Sequence, residues 1–492
     1  MTLNAAQVLL GSHDAQRSAL VCAAEQLSHG ALRDRVARCA SAWRRRGVGL
    51  GDRVAIKLPD GSAWACAFLG TIWAGGVAVG VNPRIPQGEW EFVLGEAGFR
   101  FILAESLEGT PSAFHDRVLL LDEWLRDVAQ ATPIAAQAMN PEQPAFWTHS
   151  SGTTGRPKAI VHAHRSALHI ERAGAERLGI HAGDRLFASS KLFFCYPLAN
   201  SLLAGLKLGA TVILDPSWPT AQNVVATIAA QRPTVFFSVP SMYRNLLNDG
   251  LAPQLVRHGV RLCVSAGEAL PASLREAWRV QTGLTIANGF GASETLALVL
   301  IDTGGAQGLS PSPGVQIEAM NPHAEGAPTR IHIRAPTLAL GYWQRPVAQA
   351  ESFRDGGFCP ADLFMHTDSQ AWRFAGREDS LVKVHGRWVD LDALEERLAG
   401  CAGIAEAAVV SVPDDDGVGA LALFYVARPD ALPGAPGVST ALRAQADTWP
   451  RHQQPHWLHA VGSLPRTATG KLMRRSLVDL HRRLSLLHEP QP

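Results

Sequence analysis

The strongest constraint on the fold is an alternation of short apolar runs with longer helix-like ones. Residues 53–58 (Arg-Val-Ala-Ile-Lys-Leu) read as a strand, 62–73 as a buried helix, and 77–81 as a second strand closed by Asn82-Pro83. Strand, helix and strand in about thirty residues make a βαβ crossover, which requires parallel strands. The pattern continues. Short strands are expected at 101–104 and 118–121, with a connector at 140–144, a helix at 164–178 and a strand at 185–189. Helix, strand, helix and strand follow at 201–208, 211–214, 223–230 and 235–239, and strands at 262–265 and 285–288 flank a helix over 272–281. Before this series, 31–46 places Leu32, Val36, Cys39, Ala40 and Trp43 on one helical face. The glycine turn 47–52 follows a helix and precedes a strand, the reverse of a dinucleotide fingerprint. Alternation on this scale predicts a large doubly wound α/β body.

The texture changes near residue 316. Antiparallel strands are expected at 315–320 and 330–334, and Pro and Gly are dense up to 357. From 376 onward, the apolar segments 381–384, 391–398, 407–412 and 420–426 predict a small mixed domain of about a hundred residues, with 429–437 as an internal loop.

A chain of 492 residues can bury the cores of two or three domains. Its 45 Lys and Arg against 44 Asp and Glu give no argument for nucleic acid or an anionic membrane as partner. Seven scattered cysteines without a C-x-x-C pair suggest neither a disulfide framework nor a zinc site and fit a reducing compartment. No signal-like start or membrane-length apolar run is present, so a cytoplasmic location is expected.

Chemistry concentrates first in Thr148–Lys158, where Ser150 to Gly155 supplies four hydroxyls and two glycines between two apolar segments that read as neighbouring strands. Such a loop can turn N–H and O–H groups toward a polyphosphate, and Lys158 can add a point charge. No Gly-Lys-Ser/Thr closes it, so it is not a Walker loop. A solvated linker is the plainer alternative on composition alone. His162 and His164 have a spacing that suits a metal, but without further clustered ligands a structural role is expected. A second candidate is Asn288-Gly289-Phe290-Gly291-Ala292-Ser293-Glu294, which falls at the carboxyl edge of the expected sheet, where ligands bind in such folds.

Ser150-Ser151-Gly152-Thr153-Thr154-Gly155-Arg156-Pro157-Lys158 resembles the signature loop of the adenylate-forming superfamily: acyl- and aryl-CoA ligases, carrier-loading adenylation domains and firefly-type luciferases. Five more segments match in the family's order. The resemblance implies a large N-terminal body of doubly wound sheets with a small β-barrel-like part, over 1–378, that binds ATP and the acid. A small mobile α+β domain, 379–492, then carries the catalytic lysine. The loop, Ser150, Ser151, Gly152, Thr153, Thr154, Gly155 and Lys158, would cover the β- and γ-phosphates. Val264–Pro271 matches the segment that packs on adenine and the acyl pocket, which gives Gly267, Glu268 and Ala269 to the nucleotide and Ala266 to the acid. Asn288, Gly289, Phe290 and Gly291 resemble the adenine-contacting motif; Phe290 and Ser293 stand where tyrosine and threonine are usual. Ser293 would touch the α-phosphate, and Glu294 would bind Mg²⁺, which takes hard oxygen ligands and keeps phosphates in its shell. Asp362 and Arg377 would hold the ribose, although Pro360-Ala361-Asp362 replaces the usual Thr-Gly-Asp. Asp379 matches the hinge, and Lys383, Gly386 and Arg387 the pantetheine passage. Lys471, in Pro465-Arg466-Thr467-Ala468-Thr469-Gly470-Lys471, matches the lysine that stabilises charge in the adenylation transition state.

A narrower resemblance rests on Lys191-Leu192-Phe193-Phe194-Cys195-Tyr196, Trp218-Pro219, 232–240 and Gly386-Arg387-Trp388-Val389, which look like the benzoate- and anthranilate-CoA ligase branch. It implies a flat, apolar acid pocket lined by Tyr196, Ala266, Gly291, Ala297 and Leu298, with Phe193 and Phe194 as core. The expected substrates are an aromatic carboxylic acid, ATP and coenzyme A, with Mg²⁺. Three alternatives stay open at this point: transfer to an acyl carrier protein's phosphopantetheine arm, a non-aromatic acid, and an adenylate-binding protein with little turnover.

Overall fold

The computed structural model describes residues 2–151, 156–304, 308–320, 328–367, 371–378, 380–384, 387–399, 401, 403–414, 419–428, 437–466 and 472–486. By packing, the chain forms two compact units, 1–360 with 365–373, and 361–364 with 374–492.

Two large sheets form most of the large unit, beside a smaller antiparallel one that holds Gln316–Ala319, Thr329–Arg334, Phe353–Arg354 and Gly357–Phe358. The first runs, in spatial order, Gly341–Tyr342, Pro157–Ala163, Pro144–Ser151, Val77–Gly80, Arg53–Lys57, Phe101–Ala104 and Val118–Leu120. Its central strands are parallel, as the βαβ pattern requires, with Val54 opposite Ala78 on one side and Phe101 on the other. The second runs Ser310–Pro311, Leu300–Asp302, Ile286–Phe290, Leu262–Ser265, Val235–Ser238, Arg185–Ala188, Thr211–Leu214, Ser18–Cys22 and Glu25–Ser28. Its five inner pairings, from Ile286–Phe290 to Ser18–Cys22, are parallel, and antiparallel strands close its edges. The largest apolar core joins one face of each sheet through the helices His29–Arg45 and Ser62–Trp73. Helices on both faces of a mostly parallel sheet are the doubly wound arrangement. Gln316–Ala319 pairs with Thr329–Arg334 as the antiparallel hairpin the sequence suggests.

Two helix expectations are corrected. The span 164–178 is not one helix: it holds a 3₁₀ turn at His164–Ala167 and a wide π turn at Ala173–Arg177. Tertiary hydrogen bonds decide this. His164 Nδ1 accepts the Ala5 N–H at 3.0 Å, and the Arg165 guanidinium donates to the Leu338 carbonyl at 2.9 Å. The helix expected from 201 instead begins at Cys195 and passes through a π-helical stretch, Leu198–Leu203, before the α-turns of Ala204–Leu208. Pro197 stands in the first turn of this helix, where no N–H is needed.

In the small unit, Leu381–Val384 and Arg387–Asp390 form a hairpin, and Ile404–Pro413, Gly419–Ala427 and Trp457–Ala460 form a three-stranded sheet. The helices Leu391–Ala399 and Val438–Ala446 cover one face of that sheet, and Arg474–Leu486 lies on the other. Arg474 ties this last helix to the rest by pairing with Asp392 and Glu395 and donating to the Val409 carbonyl at 2.9 Å.

Candidate active site

The site in the large unit grows from the strand Ile286–Phe290. Asn288 pairs with Ser265 on one side, while Gly289 and Phe290 pair with Ile301 and Leu300 on the other. The chain between these strands doubles back tightly. Ala292 N–H donates to Thr295 Oγ1 at 3.0 Å, Thr295 N–H to the Ala292 carbonyl at 3.0 Å, and Val299 N–H to the Phe290 carbonyl at 2.8 Å. Two glycines permit this closeness. A Cβ on Gly289 would lie 2.6 Å from Leu298 Cδ1, and one on Gly291 would lie 2.9 Å from the Ala297 carbonyl oxygen. The turn therefore bears Ser293 and Glu294 while Ala297 and Leu298 fold back against its two glycines.

Glu294 is only 8% exposed. Its carboxylate Oε1 accepts from Tyr342 Oη at 2.7 Å, and its backbone carbonyl accepts from Ala339 N–H at 2.8 Å. Tyr342 belongs to the other sheet, where Gly341 and Tyr342 pair with Val161 and Ile160. Burial and the adjoining carboxylate hold the Tyr342 phenol well above its ordinary pKa, so it is a donor. Lys158, at the foot of the hydroxyl loop, sits with Nζ 4.8 Å from the centre of the Tyr342 ring. The ends of the two sheets thus meet at one carboxylate. Tyr342 had no motif to mark it; the only available signal was that a chain with 17 Phe and 4 Tyr spends a hydroxyl here.

Of the expected acid-pocket residues, Tyr196, Ala266 and Leu298 share one apolar cluster, Ala297 lies in another, and Gly291 abuts the Ala297–Leu298 backbone. Tyr196, in the first turn of the helix starting at Cys195, packs with Val264, Ala266 and Leu298, and Ala297 packs with Cys195 and Leu198. Tyr196 Oη donates to the Val264 carbonyl at 3.0 Å, and Tyr243 Oη donates to the same oxygen at 3.0 Å. The Tyr196 ring stands edge-on to Phe237. Upstream, Asp60 accepts the Leu192 N–H at 3.1 Å and holds the head of the aromatic segment. Phe193 is buried, stacked at an angle against half-buried Phe194. Beneath the turn, Cys195 Sγ faces the carbonyls of Ser293 and Leu296, and burial pushes its thiol up to about 12.

Gly267, Glu268 and Ala269 form an exposed turn beyond the strand Leu262–Ser265, where Glu268 accepts from Ser241 N–H and Oγ. Ser150 pairs with Lys158 and Ser151 with Pro157 at the tip of a hairpin; Gly152, Thr153, Thr154 and Gly155 lie outside the described residues. His149 on this hairpin is kept neutral by burial, which lowers its pKa to about 4. His162 is fully buried, stacked on Phe146 and bonded to Thr148, with burial lowering its pKa to about 3; this is a structural environment.

In the small unit, Arg377 Nη1 lies 3.3 Å from both carboxylate oxygens of Asp362. Lys383 and Trp388 face each other across the hairpin with Nζ 5.1 Å from the ring, and Trp388 and Arg387 are exposed. Asp379, Gly386 and Lys471 lie outside the described residues, although Arg466 pairs with Leu472 around the last of them. Among the described residues no three His, Cys, Asp or Glu side chains converge as a metal cage. A single carboxylate whose second oxygen meets no hydrogen-bond donor among the described residues suits Mg²⁺ carried in on phosphates, and Glu294 offers that.

Paired doubly wound sheets, a glycine turn bearing one buried carboxylate, and an apolar wall folded back against its glycines define a nucleotide-handling enzyme of the adenylate-forming fold. The chain belongs to the AMP-binding enzyme family, which matches residues 11–343, with the AMP-binding enzyme C-terminal domain matching 393–471. It is 35% identical to a 3-hydroxybenzoate–CoA/4-hydroxybenzoate–CoA ligase of Thauera aromatica over 97% of both chains. It is 31% identical to a benzoate–CoA ligase of the same organism over 90% of this chain and 89% of that one. Among solved structures, an anthranilate CoA ligase in complex with anthranoyl-AMP superposes with a TM-score of 0.88 at 26% identity, covering 99% of this chain and 98% of that one. No described helix is long and apolar enough to cross a membrane.

Proposed function

We propose that the protein is an ATP-dependent aryl-acid CoA ligase working through an acyl-adenylate. The observation that carries this reading is that one turn, 291–298, bears both the buried Glu294 and Leu298, which packs in one apolar cluster with Tyr196 and Ala266. An aromatic acid lying on that cluster has its carboxylate directed toward the phosphate end of the site. Ring faces and small apolar side chains favour a flat ring there. The relatives named for benzoate, hydroxybenzoate and anthranilate support the same class of acid.

In the first step an oxygen of the acid attacks the α-phosphorus of ATP. The bond from that phosphorus to the bridging oxygen breaks, and pyrophosphate leaves with the electron pair. Mg²⁺, when bound at Glu294, supplies a counter-charge to the phosphates. Ser293 donates to the α-phosphate, and Lys158 and the hydroxyl loop bind the departing phosphates. Asn288, Gly289, Phe290 and Gly267 to Ala269 hold the base, and Asp362 and Arg377 the ribose. Lys471 stabilises the adenylation transition state, a role that rests on the family resemblance. In the second step the thiol sulfur attacks the acyl carbon, the bond to AMP breaks, and the thiol proton passes to water. Orientation contributes more here than a strong base, because the thiol's own pKa lies near 8.5. Lys383, Gly386 and Arg387 line the pantetheine path, with Asp379 as the hinge and 378/379 as the functional boundary. Free CoA is favoured over a carrier arm because the full-length relatives are named as CoA ligases.

Acid-dependent exchange of labelled pyrophosphate into ATP tests the reading. Exchange is expected with benzoates bearing small ring substituents. Its absence across benzoate, hydroxybenzoates and aminobenzoates would overturn the function.

A further inference from the structure

Tyr342 stands between two groups of opposite charge that the reaction needs kept apart. Its hydroxyl donates to Glu294 Oε1 at 2.7 Å, an O–H···O⁻ bond of the strong, charge-assisted kind. Its ring supports the Lys158 ammonium at 4.8 Å from the centroid, within reach of a cation–π attraction. The ring itself is fixed. Tyr342 pairs with Ile160 in the sheet, its N–H donates to Gln349 Oε1 at 2.8 Å, and Phe353 packs on its edge with centroids 5.3 Å apart. Both charged groups have other work in the proposed reaction. Glu294 must offer a carboxylate oxygen to a cation, and Lys158 must offer its charge to a polyphosphate. A flexible lysine beside a nearly buried carboxylate would otherwise close on it, because partial burial strengthens the attraction between them.

We propose that Tyr342 is a positioning residue that holds Glu294 and Lys158 separate. The hydroxyl binds one carboxylate oxygen and turns the other toward the nucleotide's cation, while the ring face holds the ammonium until phosphate arrives. This inference rests on the assignment of Glu294 as the cation-binding carboxylate.

The test measures cation uptake without turnover. The full-length protein is titrated with Mn²⁺ in the presence of α,β-methylene-ATP and no acid, with free Mn²⁺ read by electron paramagnetic resonance. Mg²⁺ half-saturation of pyrophosphate exchange is measured in parallel. Tyr342→Phe keeps the ring and removes one oxygen. It is expected to raise the Mn²⁺ half-saturation about tenfold, the size of a lost hydrogen bond to a charged group, with a smaller change in kcat at saturating cation. Tyr342→Leu removes the ring as well and is expected to raise it further, and adding Lys158→Met to Tyr342→Leu should recover part of that loss. Equal Mn²⁺ half-saturation in wild type and Tyr342→Phe, or no recovery in the double variant, overturns the proposal. Glu294→Gln separates the two levels. If it abolishes Mn²⁺ uptake while Tyr342→Phe does nothing, the positioning role alone fails; if Glu294→Gln leaves uptake intact, the cation assignment fails and the proposal falls with it.

Discussion

Replacing Asp60 by Asn should make the protein more stable at alkaline pH, and the size of the gain follows from where Asp60 sits. It lies just past the strand Arg53–Lys57, is 6% exposed, and receives the Leu192 N–H on both carboxylate oxygens at 3.1 and 3.2 Å. Burial raises its pKa to about 7, against the pull of Lys191 and the Leu192 N–H, with Asp215 adding to the rise. Lys191 cannot fully compensate, because its ammonium is committed to the Asp215 carbonyl at 2.6 Å. In the unfolded chain an aspartate titrates near 3.9. A folded pKa above the unfolded one means that stability is complete below about pH 4 and is lost as pH rises to about 7. The shift of about three units corresponds to about 4 kcal/mol at pH 8 and about 1.5 kcal/mol at pH 5. Asn keeps an oxygen for the Leu192 N–H and removes the charge. Urea denaturation followed by tryptophan fluorescence should therefore show the variant gaining about 3 kcal/mol over wild type between pH 5 and pH 8. An equal difference at both pH values would refute the buried neutral carboxyl. A reversed sign would mean that an ionised Asp60 is stabilised by Lys191.

Other outcomes follow from the same geometry. Gly291→Ala forces a Cβ to within 2.9 Å of the Ala297 carbonyl oxygen; displacing this wall at an overpacking cost of about 1–3 kcal/mol should raise the acid's KM in pyrophosphate exchange about tenfold or more, and an unchanged KM would separate Ala297 from the acid pocket. His29, His162 and His164 are fully buried, with pKa values lowered by burial to about 4, 3 and 4. Depressed folded values give stability that is present above pH 6.5 and lost as pH falls toward 4, about 2 kcal/mol each by pH 5; replacing His162 by Asn should flatten the dependence of the urea midpoint on acid pH, and an unaltered slope would count against it. Lys471→Ala should cripple adenylation yet spare thioester formation from supplied acyl-AMP; equal loss in both steps would disprove the divided role.

Much of the site was legible because its residues lie in short runs whose spacing carries the meaning. Glycines at 289 and 291 preceding Glu294 at the end of an apolar segment place a carboxylate at a sheet edge, and the strand Ile286–Phe290 runs there. The family resemblance added the acid wall, of which Tyr196, Ala266 and Leu298 share one apolar cluster while Ala297 sits in another. What stayed hidden depends on contacts without a period. Tyr342 reaches Glu294 across 48 residues, Tyr196 reaches Val264 across 68, and Asp60 reaches Leu192 across 132. The helix at 164–178 failed for the same reason, since bonds from Ala5 and to Leu338 outweighed local propensity.

The sequence alone determined the parallel α/β body, the family and the identity of the charged and hydroxyl groups, because local periodicity and short motifs are properties of neighbours in the chain. Only the tertiary structure decided which oxygen of Glu294 is already bound, how close the 297–298 wall can come, and which phenols share the Val264 carbonyl. Those are matters of a few ångströms between the ends of different strands, and they are set by how two sheets and their shared helices pack.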